Sequence, residues 1–319
     1  MKRIDILTLG VMLWLCLAPC AGAQTCTASA SSIGFGSVSP ISNSVVNANG
    51  TINVTCQWPT NTMTPNVLVC LNLGAASPRA LMNGTQQLQY DLYQDPAHSL
   101  IWGSVYMGTT PISLTLSKPA TSNSATQVVT IYGQIASDQS TVPSVGNGNT
   151  VYRQTYAGNQ SSLNYGFYQI GQPSCTSVTA SGGSFPFNVY ATVINNCNIT
   201  ASNINFATAG LLNSALNATG TITAQCTYGD AYRIALSSGA SGNVAARQLQ
   251  RPGGDVVNYQ LYVDASHITA WGDGTQGTAT PTGVGNGDRQ AFTVYGQIPA
   301  QTTPKPGSYS DVITATISF

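Results

Sequence analysis

Charged residues are scarce in this chain, and glutamate is absent altogether. Only 6% of the 319 residues are Asp, Glu, Lys or Arg, and the formal net charge is zero. A protein with almost no electric field of either sign is poorly suited to bind nucleic acid or anionic membranes. Because there is no glutamate and aspartates are few, a hydrolase built on paired carboxylates is not expected either.

Metal and cofactor motifs are missing as well. The sequence has no CxxC pair and no P-loop, and its two histidines, His98 and His267, are far apart. We therefore expect no catalytic residue, no metal site and no cofactor. Each histidine follows an aspartate at the same spacing, Asp95 and Asp264 respectively. A turn that occurs twice explains this pattern better than catalysis does.

The amino terminus has the pattern of a secretory signal peptide. Lys2 and Arg3 precede an apolar run and a short Ala/Gly segment. We predict a signal peptide over residues 1–23 and export of the remainder. A lipoprotein signal processed at Cys16 or Cys20 is the less favoured alternative. No later stretch approaches the roughly 18 apolar residues of a membrane span.

The main feature that is present is an internal duplication. Segments of the first half recur about 170 residues later, and the offset shrinks to 163 at the last match. Residues 50–56 match 220–226, residues 88–95 match 257–264, and residues 132–135 match 295–298. The duplication predicts two homologous domains, at residues 24–172 and 173–319.

Within each copy, short segments rich in β-forming residues alternate with Gly, Pro and Asn. The second copy contains six such segments, at residues 198–206, 220–226, 231–237, 256–263, 290–298 and 308–319. This spacing is typical of an antiparallel β-sandwich, and an immunoglobulin-type sandwich needs seven strands. The sequence therefore predicts an all-β chain of two immunoglobulin-like sandwiches, of which the second lacks its seventh strand.

The last predicted strand has one apolar face. Its alternating apolar residues are Ile313, Ala315, Ile317 and Phe319. We predict that these residues form the acceptor edge of an open hydrophobic groove. An open edge of this kind promotes aggregation unless another strand covers it.

A strand-like segment, within residues 184–196, precedes the second copy and has no counterpart ahead of the first. Its alternating apolar residues are Phe185, Phe187, Val189, Ala191 and Val193. Alternation of this period indicates a strand with one buried face. We predict that this donor segment inserts beside the last strand of the first domain, near residues 151–156. The alternative is a strand that packs within the second domain alone.

The cysteines follow the duplication. Six remain after the signal peptide, and an even number in an exported chain indicates disulfides. The equivalent positions predict two bridges, Cys26–Cys56 and Cys197–Cys226. Cys70 and Cys175 have no counterparts, so they pair with each other or stay free.

Three loops of the first copy are longer or more apolar than the equivalent loops of the second. They contain the candidate binding residues, which are Trp58, Pro59, Met63, Pro65, Val105, Tyr106, Met107, Val142, Pro143 and Val145. Exposed apolar groups in loops mark interaction sites. We predict that these loops bind a hydrophobic surface or a receptor. The alternatives are that Trp58 and Met63 fold back onto the core, or that the loops pack against the other domain.

From Cys26 to Phe319 the sequence resembles the spore coat protein U domain family. The shared features are an early Cys with a Phe nine residues later, a Tyr-x-Leu-Tyr-x-Asp strand, Trp-Gly, Tyr-Gly-Gln-Ile and a Gly-Ser-Tyr-Ser-Asp ending. The first copy departs from this ending with a longer stretch at residues 143–168. The family includes subunits of archaic (Csu-type) chaperone–usher pili. The resemblance implies six-stranded sandwiches that are completed by a strand from the next subunit or from a periplasmic chaperone.

Among such subunits, a two-domain chain without a donor strand ahead of Cys26 resembles the tip adhesin. This resemblance implies a location at the pilus tip on the cell surface, with roles in attachment and biofilm formation. It also implies four partners: a periplasmic chaperone, an outer-membrane usher, a next subunit that donates a strand, and a hydrophobic surface or host receptor. The alternative is a shaft or secreted spore-coat-type protein without a ligand. A secreted enzyme is disfavoured because the loops unique to the first copy are apolar.

Overall fold

The computed structural model describes residues 24–319. The predicted signal peptide, residues 1–23, lies outside the described residues. Within 24–319 the chain forms twenty strands and four single-turn 3-10 helices. In this part of the chain no helix has the length and hydrophobicity needed to cross a membrane.

Twelve strands in two sheets form what we call the first sandwich. They are β1 (Thr25–Ala30), β2 (Ile33–Val38), β3 (Val46–Gln57), β4 (Asn66–Leu73), β5 (Arg79–Asn83), β6 (Gln86–Tyr93), β7 (Ile112–Ser117), β8 (Ser124–Ile135), β9 (Thr150–Tyr156), β10 (Ser161–Tyr168), β11 (Ala180–Ser184) and β12 (Phe187–Val193). The larger sheet has the order β1-β3-β8-β6-β5-β9-β12-β2, and the smaller has the order β11-β10-β4-β7.

Eight strands form the second sandwich. They are β13 (Cys197–Ala201), β14 (Leu216–Cys226), β15 (Ala231–Leu236), β16 (Arg247–Gln250), β17 (Val256–Tyr262), β18 (Thr282–Val284), β19 (Gln290–Ile298) and β20 (Ala315–Ser318). Their sheets have the orders β13-β14-β19-β17-β16 and β18-β15-β20. The prediction of an all-β chain of two sandwiches is confirmed.

The strand count of the second sandwich differs from the six predicted segments. β16 and β18 are only 4 and 3 residues long, too short to show a period in the sequence. Conversely, residues 202–206 and 308–314 were predicted as strand but are almost entirely irregular. Both irregular segments border the same groove, which is described below.

Each sandwich encloses its own hydrophobic cluster. Trp102 and Trp271 occupy equivalent places in the two clusters and are almost completely buried. Their indole N–H groups donate to backbone carbonyls, at 2.9 Å to Leu71 O and at 3.0 Å to Ile234 O. These bonds satisfy the buried indoles, so both tryptophans are core residues rather than ligand contacts.

The described residues form three disulfides. Cys26–Cys56 and Cys197–Cys226 join directly opposed residues of neighbouring strands, as predicted from the duplication. Cys70 and Cys175 also pair with each other, which resolves the choice that the sequence left open. The third bridge attaches the segment that leads into β11 to the centre of the smaller sheet.

Candidate functional site

Strand β12 occupies a slot in the larger sheet of the first sandwich. It pairs antiparallel with β9, from Phe187 opposite Tyr156 to Val193 opposite Thr150. On its other side it runs parallel to β2. The inward side chains of the segment, Phe185 to Val193 at alternate positions, are all buried. The segment therefore fills the space between β9 and β2. β9 contains residues 151–156, which the sequence analysis predicted as the neighbour of this segment.

The segment reaches both sheets of the first sandwich. β11 pairs with β10 in the smaller sheet, and the chain then crosses at Phe185 and Pro186 to become β12. Because Pro186 lies in this crossover, its missing N–H leaves no gap in a ladder. The ring of Phe185 stacks on Trp102 with 6.2 Å between centroids, and that of Phe187 stacks on Tyr156 at 4.9 Å.

The second sandwich has an open groove where the first sandwich holds β12. The groove has a volume of about 980 Å³ and runs between residues 201–210 and 303–313. Cys197 is equivalent to Cys26, so residues 204–209 are equivalent to β2. The backbone pairing of Gln250 with Ser310 is equivalent to the backbone pairing of Met82 with Arg153 in the first sandwich. Residues 307–313 are therefore equivalent to β9.

The side chains beside the groove are less buried than their equivalents beside β12. Ile33 and Tyr156 are fully buried, whereas the equivalent Ile204 and Ile313 are only half-buried. The segments carrying Ile204 and Ile313 also have no regular strand structure. Since a strand needs a neighbour to satisfy its backbone groups, the absence of a strand equivalent to β12 explains both differences.

The predicted acceptor edge is only partly right. Ile313 and Ala315 line the groove, but Ile317 and Phe319 do not. The chain crosses from one sheet to the other after Ile313, so β20 pairs with β15 and Ile317 lies opposite Ile234. Phe319 follows β20 and is 53% exposed. The edge of the groove is therefore residues 303–313 together with Ala315 at the start of β20, and the rest of the final strand does not belong to it.

The candidate binding loop at residues 58–65 separates into a buried and an exposed part. Trp58 is only 3% exposed, and its ring packs edge-on against Phe167 at 5.6 Å. The prediction that Trp58 contacts a ligand is wrong, because the indole closes the end of the core. Met63 is 80% exposed, and Pro59 and Pro65 are half-buried.

This loop lies at the end of the first sandwich farthest from the second. It follows Gln57 at the end of β3, whereas Val46, at the start of β3, pairs with Ile135. The loop after Ile135 is the one that contacts the second sandwich. The 12 residues of β3 span on the order of 35 Å, and we call the end that carries residues 58–65 the distal end.

The second candidate loop, with Val105, Tyr106 and Met107, lies on the side of the sandwich. The amide of Val105 donates to Asn72 Oδ1 at 3.0 Å, and the hydroxyl of Tyr106 donates to Asn164 Oδ1 at 2.8 Å. Asn72 is six residues along β4 from its distal start, which is roughly 20 Å. Tyr106 and Met107 are exposed, but they do not share a surface with Met63.

The third candidate loop is at the interface between the sandwiches. Val142 is buried, and Pro143 forms a backbone bridge with Tyr228 of the second sandwich. Asn147 exchanges two hydrogen bonds with the backbone of Ala231, at 2.9 and 3.0 Å. The prediction that this loop is part of an exposed binding surface is wrong for Val142 and Pro143, because the loop packs on the second sandwich. Val145 remains exposed there.

A buried carboxylate lies in this interface. The hydroxyl of Ser144 donates to Asp230 Oδ1 at 2.5 Å, and Asp230 is fully buried. Asp230 Oδ2 has no hydrogen-bond partner among the described residues. Burial raises the pKa of Asp230 above its ordinary value, and the bond from Ser144 opposes this shift only in part. Ionisation of the Asp230 carboxyl therefore costs free energy in the folded protein, because the charged form is removed from water.

Sequence reasoning missed part of the distal end. Ile170 follows β10 and is 89% exposed. It belongs to the distal end because Tyr168 pairs with Asn66, whose amide also donates to Gln169 O at 3.4 Å. The available signal was an isolated apolar residue in a Gly/Gln turn, and a single apolar residue in a turn does not by itself distinguish an exposed side chain from a buried one.

The two histidines stabilise equivalent turns. His98 and His267 both have φ of 54°, and their rings pack edge-on against Tyr93 and Tyr262. In the first turn, the backbone N–H of Leu100 donates to Asp95 and holds the pKa of that carboxyl below its usual value. No group of three or more possible metal ligands occurs in residues 24–319.

Two pilin-like β-sandwiches in one chain, as in chaperone–usher pilus subunits, define the fold class. A chain in the crystal structure of the CsuC–CsuE chaperone–tip adhesion subunit complex, from the Csu pili of Acinetobacter baumannii, superposes with a TM-score of 0.51. The match covers 92% of this chain and all of that one at 16% identity, so it shows the fold alone.

The sequence comparisons identify the family. The Spore Coat Protein U domain model matches residues 15–152 and 184–316, and the chain belongs to this family. Protein U of Myxococcus xanthus is 35% identical over 147 residues, which are 44% of this chain and 74% of Protein U. The resemblance inferred from the sequence motifs is therefore confirmed.

Proposed function

We propose that this protein is the tip adhesin subunit of an archaic chaperone–usher pilus. It is exported through the periplasm, is presented at the pilus tip, and mediates surface attachment and biofilm formation by binding rather than by catalysis. Its signal peptide is residues 1–23. Residues 24–172, completed by β12, form the adhesin domain, and the remainder of residues 173–319 forms the pilin domain that joins the pilus.

The contrast between the filled slot and the open groove carries this proposal. The first sandwich obtains the strand between β9 and β2 from its own chain, so it needs no partner to be complete. The second sandwich presents the equivalent groove, lined by half-buried apolar side chains, to an extended segment of another protein. Strand addition of this kind combines backbone hydrogen bonds with pockets for alternate side chains.

The partners of the groove are those that the resemblance to archaic chaperone–usher pilus subunits implies. A periplasmic chaperone fills it before assembly, and the next pilus subunit fills it afterwards at the outer-membrane usher. The similarity in fold to a chaperone–tip subunit pre-assembly complex supports the chaperone as the first partner. Because the groove and the distal end are at opposite ends of the molecule, attachment to the pilus leaves the distal end free.

Exposed apolar side chains at the distal end support the adhesive role. Met63 and Ile170 are the most exposed large apolar residues of the first sandwich, and both lie at this end. Methionine is flexible and polarisable, so it adapts to apolar surfaces of irregular shape. The side loop with Tyr106 and Met107 supplies a separate apolar contact.

The proposal is tested by attachment of piliated cells to polystyrene and to hydrophilic glass. We expect the double variant Met63→Ser/Ile170→Ser to lose most attachment to polystyrene, because both apolar contacts at the distal end are removed. Val145→Ser is the matched control, since Val145 is 58% exposed but lies at the interface end. Tyr106→Ser/Met107→Ser measures the contribution of the side loop. Unchanged attachment of the distal variant, with normal pilus abundance, would rule out adhesion through this end.

A further inference from the structure

A lysine lies within the distal end. A cleft of about 450 Å³ is lined there by Thr60, Asn61, Thr62, Met63, Pro65, Lys118, Pro119 and Ala120. The backbone N–H of Lys118 donates to Pro65 O at 2.8 Å, which holds the two loops side by side. Lys118 is half-buried, so its position relative to Met63 is restricted by the walls of the cleft.

The charge of Lys118 is not neutralised by any described residue. The two ion pairs in residues 24–319 are Arg79–Asp91 and Arg251–Asp255. Within the first sandwich, Asp95 accepts hydrogen bonds from its own turn, and Asp138 bonds to Ser137 near the interface end. The distal end thus combines exposed apolar side chains with one cationic side chain, and no carboxylate of the described residues lies beside it.

Gln24 holds the loop that carries Met63 in place. The side-chain amide of Gln24 donates to the hydroxyls of Thr62 and Thr64, at 2.8 and 2.6 Å. The hydroxyl of Thr62 lies 3.2 Å from that of Thr64. These hydrogen bonds occupy the hydroxyls of Thr62 and Thr64, so the loop presents the exposed side chain of Met63 beside Lys118, flanked by the exposed polar residues Thr60 and Asn61.

We propose that the distal end selects apolar surfaces that carry sparse carboxylates over apolar surfaces that are neutral or cationic. This inference rests on the proposed adhesive function and specifies the surface that the site prefers. Met63 and Ile170 contact the apolar part, and the Lys118 ammonium pairs with a carboxylate beside it. One lysine at an anionic surface gives about a fivefold preference at low salt, and salt screens this preference.

The test measures attachment of piliated cells to three monolayers: methyl-terminated, methyl with a minority of carboxylate, and methyl with a minority of trimethylammonium. We expect the wild type to prefer the carboxylate monolayer over the trimethylammonium one by about fivefold at low ionic strength. Lys118→Gln should remove this preference and keep attachment to the methyl monolayer, and Lys118→Glu should reverse the preference. Arg153→Gln is the matched control, because Arg153 is the other cation among the described residues of the first sandwich that forms no ion pair.

The outcomes separate this inference from the proposed function. A wild type without any charge preference, or a preference that persists in Lys118→Gln, overturns the inference. If Met63→Ser/Ile170→Ser attaches to the methyl monolayer as well as the wild type does, the adhesive function itself is overturned. Loss of the charge preference in Arg153→Gln would mean that general surface charge, and not Lys118, is responsible.

Discussion

Each sandwich has an equivalent disulfide, an equivalent buried tryptophan and mostly equivalent strands. In the first sandwich the slot beside β9 is filled by β12, whereas in the second sandwich the equivalent groove is open. Residues 33–38 form strand β2 beside β12, whereas the equivalent residues 204–209 are irregular beside the groove. Similar local sequences therefore adopt different structures. The difference shows that strand formation here depends on the neighbour across the ladder more than on intrinsic propensity.

The comparison also indicates what a donated strand contributes. The apolar side chains of residues 185–193 are buried in the first sandwich, and nothing in the described chain takes their place in the second. Burial of such a set is worth on the order of 5–10 kcal/mol before the cost of ordering the segment. We expect the first sandwich to be the more stable of the two until the groove is filled.

Removal of the bridge that is unique to the first sandwich should have the largest effect. Cys70–Cys175 closes a loop of 105 residues, and Cys197–Cys226 closes one of 29. On the chain-entropy estimate, Cys70→Ala/Cys175→Ala destabilises the first sandwich by about 4–5 kcal/mol, and Cys197→Ala/Cys226→Ala destabilises the second by about 3.6 kcal/mol. Calorimetry that resolves two transitions measures both changes. A shift of the second transition in the first variant would contradict independent unfolding.

The equivalent isoleucines test the comparison directly. Ile33→Ala should lower the free energy of unfolding of the first sandwich by about 3–4 kcal/mol, because Ile33 is fully buried against β12. Ile204→Ala should cost the second sandwich less, because its side chain is half-exposed beside the groove. Thermal unfolding of the full chain gives both values. Equal losses would mean that the groove is closed in solution.

Filling the groove should abolish this asymmetry. A peptide with the sequence of residues 180–195 should bind the second sandwich of the full chain and raise its unfolding free energy by about 2.7 kcal/mol at 100 times its dissociation constant. Ile204→Ala should then become more costly. The control peptide has aspartate in place of Val189 and Ala191, and it should not bind. If both peptides raise the second melting temperature equally, binding does not use the groove.

The smallest effect is expected at the interface, where Asp230 is buried. The folded state binds the Asp230 proton more tightly than the unfolded state, whose pKa is near 3.8, because burial raises the folded pKa. Stability therefore falls as the pH rises from this value through the raised pKa. The difference in unfolding free energy between Asp230→Asn and the wild type should increase in favour of the variant over that pH range. Above the raised pKa the difference should stay constant. Asp288→Asn, at an exposed site, is the control.

A pH-independent difference between Asp230→Asn and the wild type would contradict the buried ionisation. The melting temperature of the full chain, measured from roughly pH 4 to pH 8, provides the comparison. Subtraction of the wild-type curve removes the contribution of carboxylates such as Asp95, whose pKa is shifted in the opposite direction.

Much of the fold could be predicted from the sequence, because a strand with one buried face has apolar residues at every second position. This alternation identified residues 185–193 as a strand, and the duplication identified Cys26–Cys56 as a bridge. The positions of the loops were harder to predict. An insertion that binds a ligand and one that packs on a neighbouring domain have the same apolar composition, so Val142 resembled Met63. Likewise, the length of the loop at residues 58–65 does not reveal that the indole of Trp58 packs into the core.

The route from β12 into the second sandwich has a mechanical consequence. β12 continues through residues 194–196 directly into β13, so a pull between the two sandwiches acts along the axis of β12. Such a load shears β12 against β9 and β2, and its hydrogen bonds must rupture together rather than one after another. Forced unfolding is controlled by the unfolding rate, and Cys70–Cys175 anchors the upstream end of the same segment. Under the proposed adhesive function, the joint is therefore loaded in its strongest direction when a cell pulls on its point of attachment.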